Sequence, residues 1–166
     1  MKINMNLEDI AGKAVINKSK NDKMYSYLKM QDDDKIDKIV HRIYDQVVSQ
    51  INCLECANCC KKLGTSVSEE DIEKMAKYKQ ITKEEFTALY IEEDYLIGTS
   101  LKDLPCIFLN GNKCKIYNDK PEPCSHYPHL HKKDFTHRLH SVFANYAVCP
   151  IVFNTVEELK KALNFR

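Results

Sequence analysis

The sequence has no long apolar run. Its opening segment, MKINMNLEDIAGKAVINKSK, contains no unbroken hydrophobic stretch of the length that a secretion signal needs. No later window approaches the roughly 20 apolar residues that a membrane-spanning helix requires. We therefore expect a cytoplasmic protein that has no membrane as a partner.

The chain also has little net charge of either sign. It carries 25 Lys and Arg against 24 Asp and Glu, which gives a formal charge of +1. Such a balance creates no global field that would attract nucleic acid, so we expect no nucleic-acid partner. Internal repeats and low-complexity linkers are also missing. With 166 residues, 43% of them hydrophobic, we predict one small domain around a single core.

Hydrophobic periodicity predicts a mainly α-helical fold from residue 34 onward. Residues 1–33 are polar and weakly patterned, so we expect a weakly ordered N-terminal arm before a domain over residues 34–166. Behind the run of aspartates, apolar residues recur at three- and four-residue steps as far as Ile51, which predicts a first helix. Three pairs with the spacing of a helix N-cap predict further helices: Ser68 with Asp71, Thr82 with Glu85, and Thr155 with Glu158.

A short β-hairpin is predicted within residues 105–117. Two apolar runs there flank Asn110-Gly111, a strong hairpin signal, and would place Cys106 and Cys114 on facing strands. Cys124 follows in a segment rich in Pro and His, which favours an irregular loop or a single turn. The predicted fold class is therefore α+β, mainly α-helical, with one short hairpin and cysteine-bearing loops around a metal centre.

Eight cysteines carry the functional prediction. In a reducing compartment such a set indicates metal binding or redox chemistry more than a disulfide framework. Four of them fall within residues 53–60, and the others come singly from distant segments. A two-residue gap lets neighbouring thiolates converge on one ion, while remote ligands hold distant parts of the chain together. The candidate metal ligands are Cys53, Cys56, Cys59, Cys60, Cys106, Cys114, Cys124 and Cys149.

The identity of the metal stays open between zinc and iron. Thiolates select zinc, copper(I) or iron–sulfur clusters, and structural zinc needs only four convergent ligands. The three cysteines of residues 53–59 match the first positions of the bacterial ferredoxin run, and Cys149-Pro150 is similar to its final element. Iron as a 4Fe–4S cluster therefore remains an alternative to zinc. The number of centres is also open, because the adjacent Cys59 and Cys60 could face two different ions.

Charged and imidazole side chains accompany the cysteines. Thiolate centres carry negative charge that nearby cations offset, and histidine is itself a common metal ligand. Five of the six histidines lie beside Cys124, where they could complete a Cys-His site or form a solvated polar loop. His126 is the best placed of them. The lysines next to cysteines are Lys61, Lys62, Lys113, Lys115 and Lys120, and the histidines are His126, His129, His131, His137 and His140.

The pattern CxxCxxCC at residues 53–60, the later Cys106 hairpin, CKIYNDKPEPCSHYP at 114–128 and the late Cys149 together resemble the YkgJ-type cysteine-cluster family, a zinc- or iron-chelating domain. The resemblance covers about residues 53–150, with all eight cysteines in the family's order. This chain departs from the family at Ala57, where glycine is usual, and at Lys120-Pro121 and Cys124-Ser125, where arginine is usual.

The resemblance implies a metal ion as partner and leaves both the reaction and any protein partner undefined. A related cysteine cluster occurs in flagellin lysine methylases, which are longer proteins. An iron–sulfur redox or transfer enzyme is therefore one alternative function, although the chain has no Gly-rich loop of the kind that cradles a nucleotide-like cofactor. A zinc-stabilised interaction module is another alternative.

Overall fold

A computed structural model describes residues 1–95 and 98–165. The chain forms two compact units. The first unit combines Met1–Asn52 with Pro128–Arg166, and the second unit is Cys53–Tyr127. No helix within the described ranges has both the length and the apolar character needed to span a bilayer.

Helices dominate both units. In chain order they are α1 (Leu7–Ile16), α2 (Lys18–Leu28), α3 (Asp33–Val48), α4 (Cys53–Cys56), α5 (Asn58–Lys62), α6 (Glu69–Lys79), α7 (Lys83–Tyr90), α8 (Glu122–His126), α9 (Leu139–Ala144) and α10 (Pro150–Ala162). Two 3-10 turns span Tyr117–Asp119 and Phe135–Arg138. The strands are β1 (Ile91–Asp94), β2 (Gly98–Leu101), β3 (Leu109–Asn110) and β4 (Lys113–Cys114). The prediction of a mainly helical α+β fold is confirmed.

Helix α3 is the central element of the first unit. The Asp32 side chain accepts a hydrogen bond from the Lys35 amide at its start, as the aspartate run predicts. Its apolar stripe is buried through Ile36, Val40 and Val47, and the helix packs against α10. This amphipathic stripe is what makes the helix predictable from sequence.

The structure differs from the expectation of a weakly ordered arm over residues 1–33. That segment forms α1 and α2, and the side chains of Ile10, Met24 and Leu28 are completely buried. Few apolar residues occur in this segment, so sequence periodicity is weak. The helices are stabilised by burying those few residues against the rest of the first unit, which a single-segment pattern does not reveal.

The predicted cap of the last helix is also wrong. Thr155 lies inside α10 and is fully buried, whereas the helix begins five residues earlier with Cys149 at the N-cap position. Pro150 occupies the first helical turn, where its fixed φ angle suits a helix and its missing N–H costs nothing. Pro150 therefore marks the start of α10 in the sequence better than Thr155 does.

The second unit contains a small apolar core between α6, α7 and the strands. Both predicted capping boxes are present, Ser68 with Asp71 before α6 and Thr82 with Glu85 before α7. Strands β1 and β2 form an antiparallel pair, with Ile91 opposite Leu101. The buried side chains of this core are Val67, Ile72, Met75, Ala76, Phe86, Leu101, Phe108 and Ile116.

The hairpin predicted near Asn110-Gly111 exists, with a correction to its cysteines. Strands β3 and β4 pair around a turn at Gly111, whose φ of 59° suits glycine, and Cys114 faces Leu109. Cys106 precedes the strand rather than lying on it, because its carbonyl accepts the Leu109 amide in a separate turn. The two cysteines are therefore not on facing strands.

Candidate metal centre

Two short helices carry the four clustered cysteines. Helix α4 closes with a 3.0 Å hydrogen bond from the Ala57 amide to the Cys53 carbonyl. Ala57 then adopts a left-handed conformation with φ of 49°, which ends α4 before α5 begins at Asn58. Since only glycine adopts this conformation without steric cost, a glycine would fit the position better than alanine.

Three further cysteines come to the second unit from later in the chain. The Cys106 amide donates a 2.8 Å hydrogen bond to the Cys60 carbonyl, which ties the segment before the hairpin to α5. Cys114 ends β4. The Cys124 thiol, on α8, donates to the Thr65 hydroxyl at 3.3 Å. Seven of the eight candidate ligands thus belong to one unit.

Cys149 is placed differently from the other seven. It belongs to the first unit, where it is buried and occupies the N-cap position of α10. The sequence pattern predicts Cys149 as the eighth metal ligand, and this role stays a prediction.

All eight cysteines are present as thiols rather than in disulfides. Cys53 is exposed, Cys149 is buried and the others are partly buried. Each sulfur keeps the lone pairs that a soft metal ion would bind.

Cys60 is the central thiol of the second unit. Its sulfur lies 3.9 Å from that of Cys59, although neighbouring residues on a helix point about 100° apart. The hydrogen bond from the Cys59 thiol lowers the pKa of Cys60 to about 6, and the charges of Lys120 and Lys61 act in the same direction. Cys60 therefore ionises more readily than Cys53, Cys106, Cys114 and Cys124, whose pKa values are raised.

The thiols around Cys60 have raised pKa values. Burial is the main cause for Cys53, Cys106, Cys114 and Cys124, and in each case the negative charge of Cys60 raises the pKa further. Cys56 acts in the same way on Cys53. The charge of Cys60 therefore opposes the ionisation of these four thiols. A bound cation would reverse this effect, because thiolates are the ligand form of cysteine.

Lys120 is the positive group with the widest influence on these thiols. Its ammonium group lies 4.0 Å from the centre of the Tyr117 ring, which holds it by a cation–π interaction. From there its charge lowers the pKa of Cys60 and partly offsets the rise in the pKa of Cys53, Cys114 and Cys124. The sequence-based suggestion that a neighbouring lysine offsets thiolate charge is thus supported by the position of Lys120.

The donor chemistry of the second unit fits zinc or iron. Cysteine thiolates are the ligands that soft and borderline metals prefer. Within residues 1–95 and 98–165, no three or more Cys, His, Asp or Glu side chains are already arranged to hold a metal ion. Binding therefore requires the sulfur atoms to move closer together than they are here.

The histidines divide between the two units. His126 lies in the second unit on α8, with its Nε2 3.6 Å from a carboxylate oxygen of Glu122. His129, His131, His137 and His140 belong to the first unit. His131 packs against the Tyr44 ring, and His137 lies 3.2 Å from Asp33. His126 is therefore the histidine that shares a unit with the seven thiols.

Two residues of the site escape sequence reasoning. The Thr65 hydroxyl accepts a hydrogen bond from the Cys124 thiol. The Asn112 side chain donates a hydrogen bond to the segment that carries the clustered cysteines. Neither residue type signals metal binding, and each lies more than fifty positions from its partner in the chain. The turn position of Asn112 is visible in the sequence, but its partners are not.

Comparison with known proteins supports metal binding in general. The family model described as "CxxCxxCC: Putative zinc- or iron-chelating domain" matches residues 52–142, more than half of the chain and a range that contains seven of the eight cysteines. No characterised protein and no solved structure matches the chain. The chain belongs to the CxxCxxCC family of zinc- or iron-chelating domains.

Proposed function

We propose that the second unit binds zinc or iron through cysteine thiolates, with Cys60 as the central ligand. The observation that carries the proposal is that seven of the eight cysteines belong to this unit, where the charge of Cys60 acts on four of the other six thiols. The family description, zinc or iron chelation, supports the same class of ligand.

The ligand set proposed is the full group of cysteines, with a four-thiolate centre as the minimum. Four thiolates satisfy a tetrahedral zinc ion or a 4Fe–4S cluster. The remaining thiols allow a second centre or supply replacement ligands. Cys149 of the first unit is tested separately, because it lies outside the residues that the family model matches.

Charge supports this assignment. Four thiolates around a divalent ion leave a formal charge near minus two, which neighbouring cations and backbone N–H groups offset. Lys120 and Lys61 both lower the pKa of Cys60, so they are near enough to provide part of this compensation. When bound, the metal would hold α4, α5, α8 and the hairpin together.

Elemental analysis and absorbance of anaerobically purified protein test the proposal. We expect stoichiometric zinc in colourless protein, or iron with broad absorbance near 400 nm if the centre is an iron–sulfur cluster. Cys60→Ser should lose most of the metal. Met30→Ser, which removes an exposed sulfur on the first unit, is the matched control and should retain it. Wild-type protein without thiolate-bound metal, or Cys60→Ser with its full complement, overturns the proposal.

The test extends to Cys149. If this residue is a ligand, Cys149→Ser lowers the metal content or affinity as Cys60→Ser does. If it is only a buried side chain, Cys149→Ser loses stability while the metal-to-protein ratio is unchanged. The two results separate the eight-cysteine set from a seven-cysteine set.

A redox or transfer enzyme, similar in its cluster to the lysine methylases, is the second candidate function. The close approach of the Cys59 and Cys60 sulfurs favours it, because a dithiol can react as well as bind metal. In metal-loaded protein, rapid labelling of one cysteine by a thiol probe would support an enzyme. Uniform protection of all the thiols would favour metal chelation alone or a zinc-stabilised interaction module.

A further inference from the structure

The turn of the β3–β4 hairpin makes two hydrogen bonds to the cysteine-bearing helices through one side chain. Asn112 Oδ1 accepts a 2.7 Å hydrogen bond from the Lys61 ammonium group on α5. Asn112 Nδ2 donates a 2.8 Å hydrogen bond to the Glu55 carbonyl on α4. One amide thus connects both short helices to the hairpin.

The chemistry of the partners fixes the orientation of the amide. A lysine only donates hydrogen bonds and a carbonyl only accepts them, so Oδ1 must face Lys61 and Nδ2 must face Glu55. The reverse orientation would place like groups together at both contacts. Asparagine is therefore matched to this position, because aspartate would provide only acceptors.

We propose that Asn112 is a positioning residue for the metal centre. It holds Cys53, Cys56 and Cys60 in register with Cys114, two residues beyond it on β4. The proposal rests on metal binding by these thiols. Asn112 acts through the backbone of α4 and the charged group of Lys61.

The energetic reason is conformational entropy. Helices α4 and α5 contain only four and five residues, and helices this short are not stable by themselves, so the segments that carry the clustered cysteines depend on contacts elsewhere in the unit. A second tie, the bond from the Cys106 amide to the Cys60 carbonyl, holds α5 from another side. With both ties in place, less conformational freedom is lost when the metal binds.

Asn112 is exposed, which separates this role from a general structural one. A solvent-exposed hydrogen bond contributes little to the free energy of unfolding, since water replaces the lost partner. Its loss should therefore appear in metal affinity far more than in the stability of metal-free protein. Residues that orient metal ligands typically change affinity about 10- to 100-fold when substituted.

Zinc affinity of the full chain, measured by competition with a chelator, tests the inference. We expect Asn112→Ala to raise the dissociation constant about 10-fold or more. Asn112→Asp should lie between Asn112→Ala and wild type, because it keeps only the contact with Lys61. The matched control is Asn110→Ala, which removes the same exposed side chain type two positions away in the same hairpin.

The thermal midpoint of metal-free protein and the cobalt(II) spectrum complete the design. Asn112→Ala should match Asn110→Ala in midpoint, while its sulfur-to-cobalt charge-transfer bands shift or weaken. Lys61→Met removes the hydrogen bond between Lys61 and Asn112 and keeps a side chain of similar length. If Lys61 and Asn112 act through one hydrogen bond, their effects on zinc affinity are not additive. The double variant Lys61→Met, Asn112→Ala should then lose less binding free energy than the two single variants lose in sum.

The outcomes distinguish this inference from the proposed function. If wild-type protein shows no thiolate-to-cobalt bands, metal binding itself fails. If wild type binds normally and Asn112→Ala matches Asn110→Ala in zinc affinity, the positioning role alone is overturned. A lower midpoint of metal-free Asn112→Ala with unchanged zinc affinity also overturns it, because that result describes a purely structural contact.

Discussion

At the residue scale, Lys120 is the positive side chain whose charge reaches the most thiols. It lowers the pKa of Cys60 and partly offsets the rise in the pKa of Cys53, Cys114 and Cys124, while its ammonium group rests against Tyr117. Because thiolates are the metal-binding form, a positive charge at this position favours the bound state. The usual family residue here is arginine, which would keep the charge and could also stack on the tyrosine ring.

Replacing this charge gives the first prediction. Lys120→Gln should raise the zinc dissociation constant about 10-fold, whereas Lys120→Arg should bind nearly as wild type does. Lys115→Gln is the control, since it removes an exposed lysine next to Cys114. Competition with a chelator at low and high salt provides the measurement. Equal affinities for the Lys120→Gln and Lys115→Gln proteins would show that Lys120 does not compensate the thiolate charge.

At the element scale, two aspartates of α3 organise the 3-10 turn at Phe135–Arg138 within the first unit. The buried Asp37 carboxylate accepts the amides of Asp134 and Phe135 at 2.9 and 3.0 Å. Asp33 accepts the Thr136 hydroxyl at 2.7 Å and the amide of the same residue at 3.2 Å. These contacts satisfy backbone groups that the short turn cannot satisfy internally.

This arrangement predicts a specific dependence on pH. The hydrogen bond from the Thr136 hydroxyl is the main cause that lowers the pKa of Asp33, and His137 adds to it. A carboxyl whose folded pKa is depressed stabilises the fold above its unfolded pKa, near 3.9, and the contribution is lost as pH falls through the folded value. We therefore expect the thermal midpoint of Asp33→Asn to decline less steeply below about pH 4 than that of wild type.

The control for that prediction is Asp34→Asn, which changes an exposed neighbour in the same helical turn. Its midpoint should follow the wild-type pH curve. Thermal melts monitored by circular dichroism between pH 3 and pH 7 would measure all three proteins. An unchanged acid slope in Asp33→Asn would show that the Thr136 contact is not linked to folding.

Elements with local signals could be predicted from the sequence, and those that depend on remote partners could not. Helices α6 and α7 were predictable because a cap and its partner lie three residues apart. Helices α1 and α2 were not, since their few buried side chains reveal their role only after packing. The same rule applies to the site: the clustered cysteines are evident in the sequence, whereas the contacts of Thr65 and Asn112 cross more than fifty residues.

At the scale of the whole molecule, seven thiols lie in one unit and the eighth lies in the other. We therefore expect metal binding to stabilise the two units to different extents. A ligand that binds only folded protein adds about 4 kcal/mol to the unfolding free energy when its free concentration is about 1,000 times the dissociation constant. The thiols must move closer together to bind a metal ion. We therefore expect much of this gain in stability to appear as slower hydrogen exchange in the segments that carry the thiols.

Hydrogen exchange with and without zinc tests this expectation. Amides of α4, α5 and the β3–β4 hairpin should become strongly protected on zinc binding, while those of α1 and α2 should exchange as before. The start of α10 reports on Cys149, because protection there in wild type but not in Cys149→Ser would add this residue to the ligand set. Cys60→Ser with zinc provides the control and should exchange like metal-free wild type. Equal protection across both units, or none in either, would contradict a centre built from the thiols around Cys60.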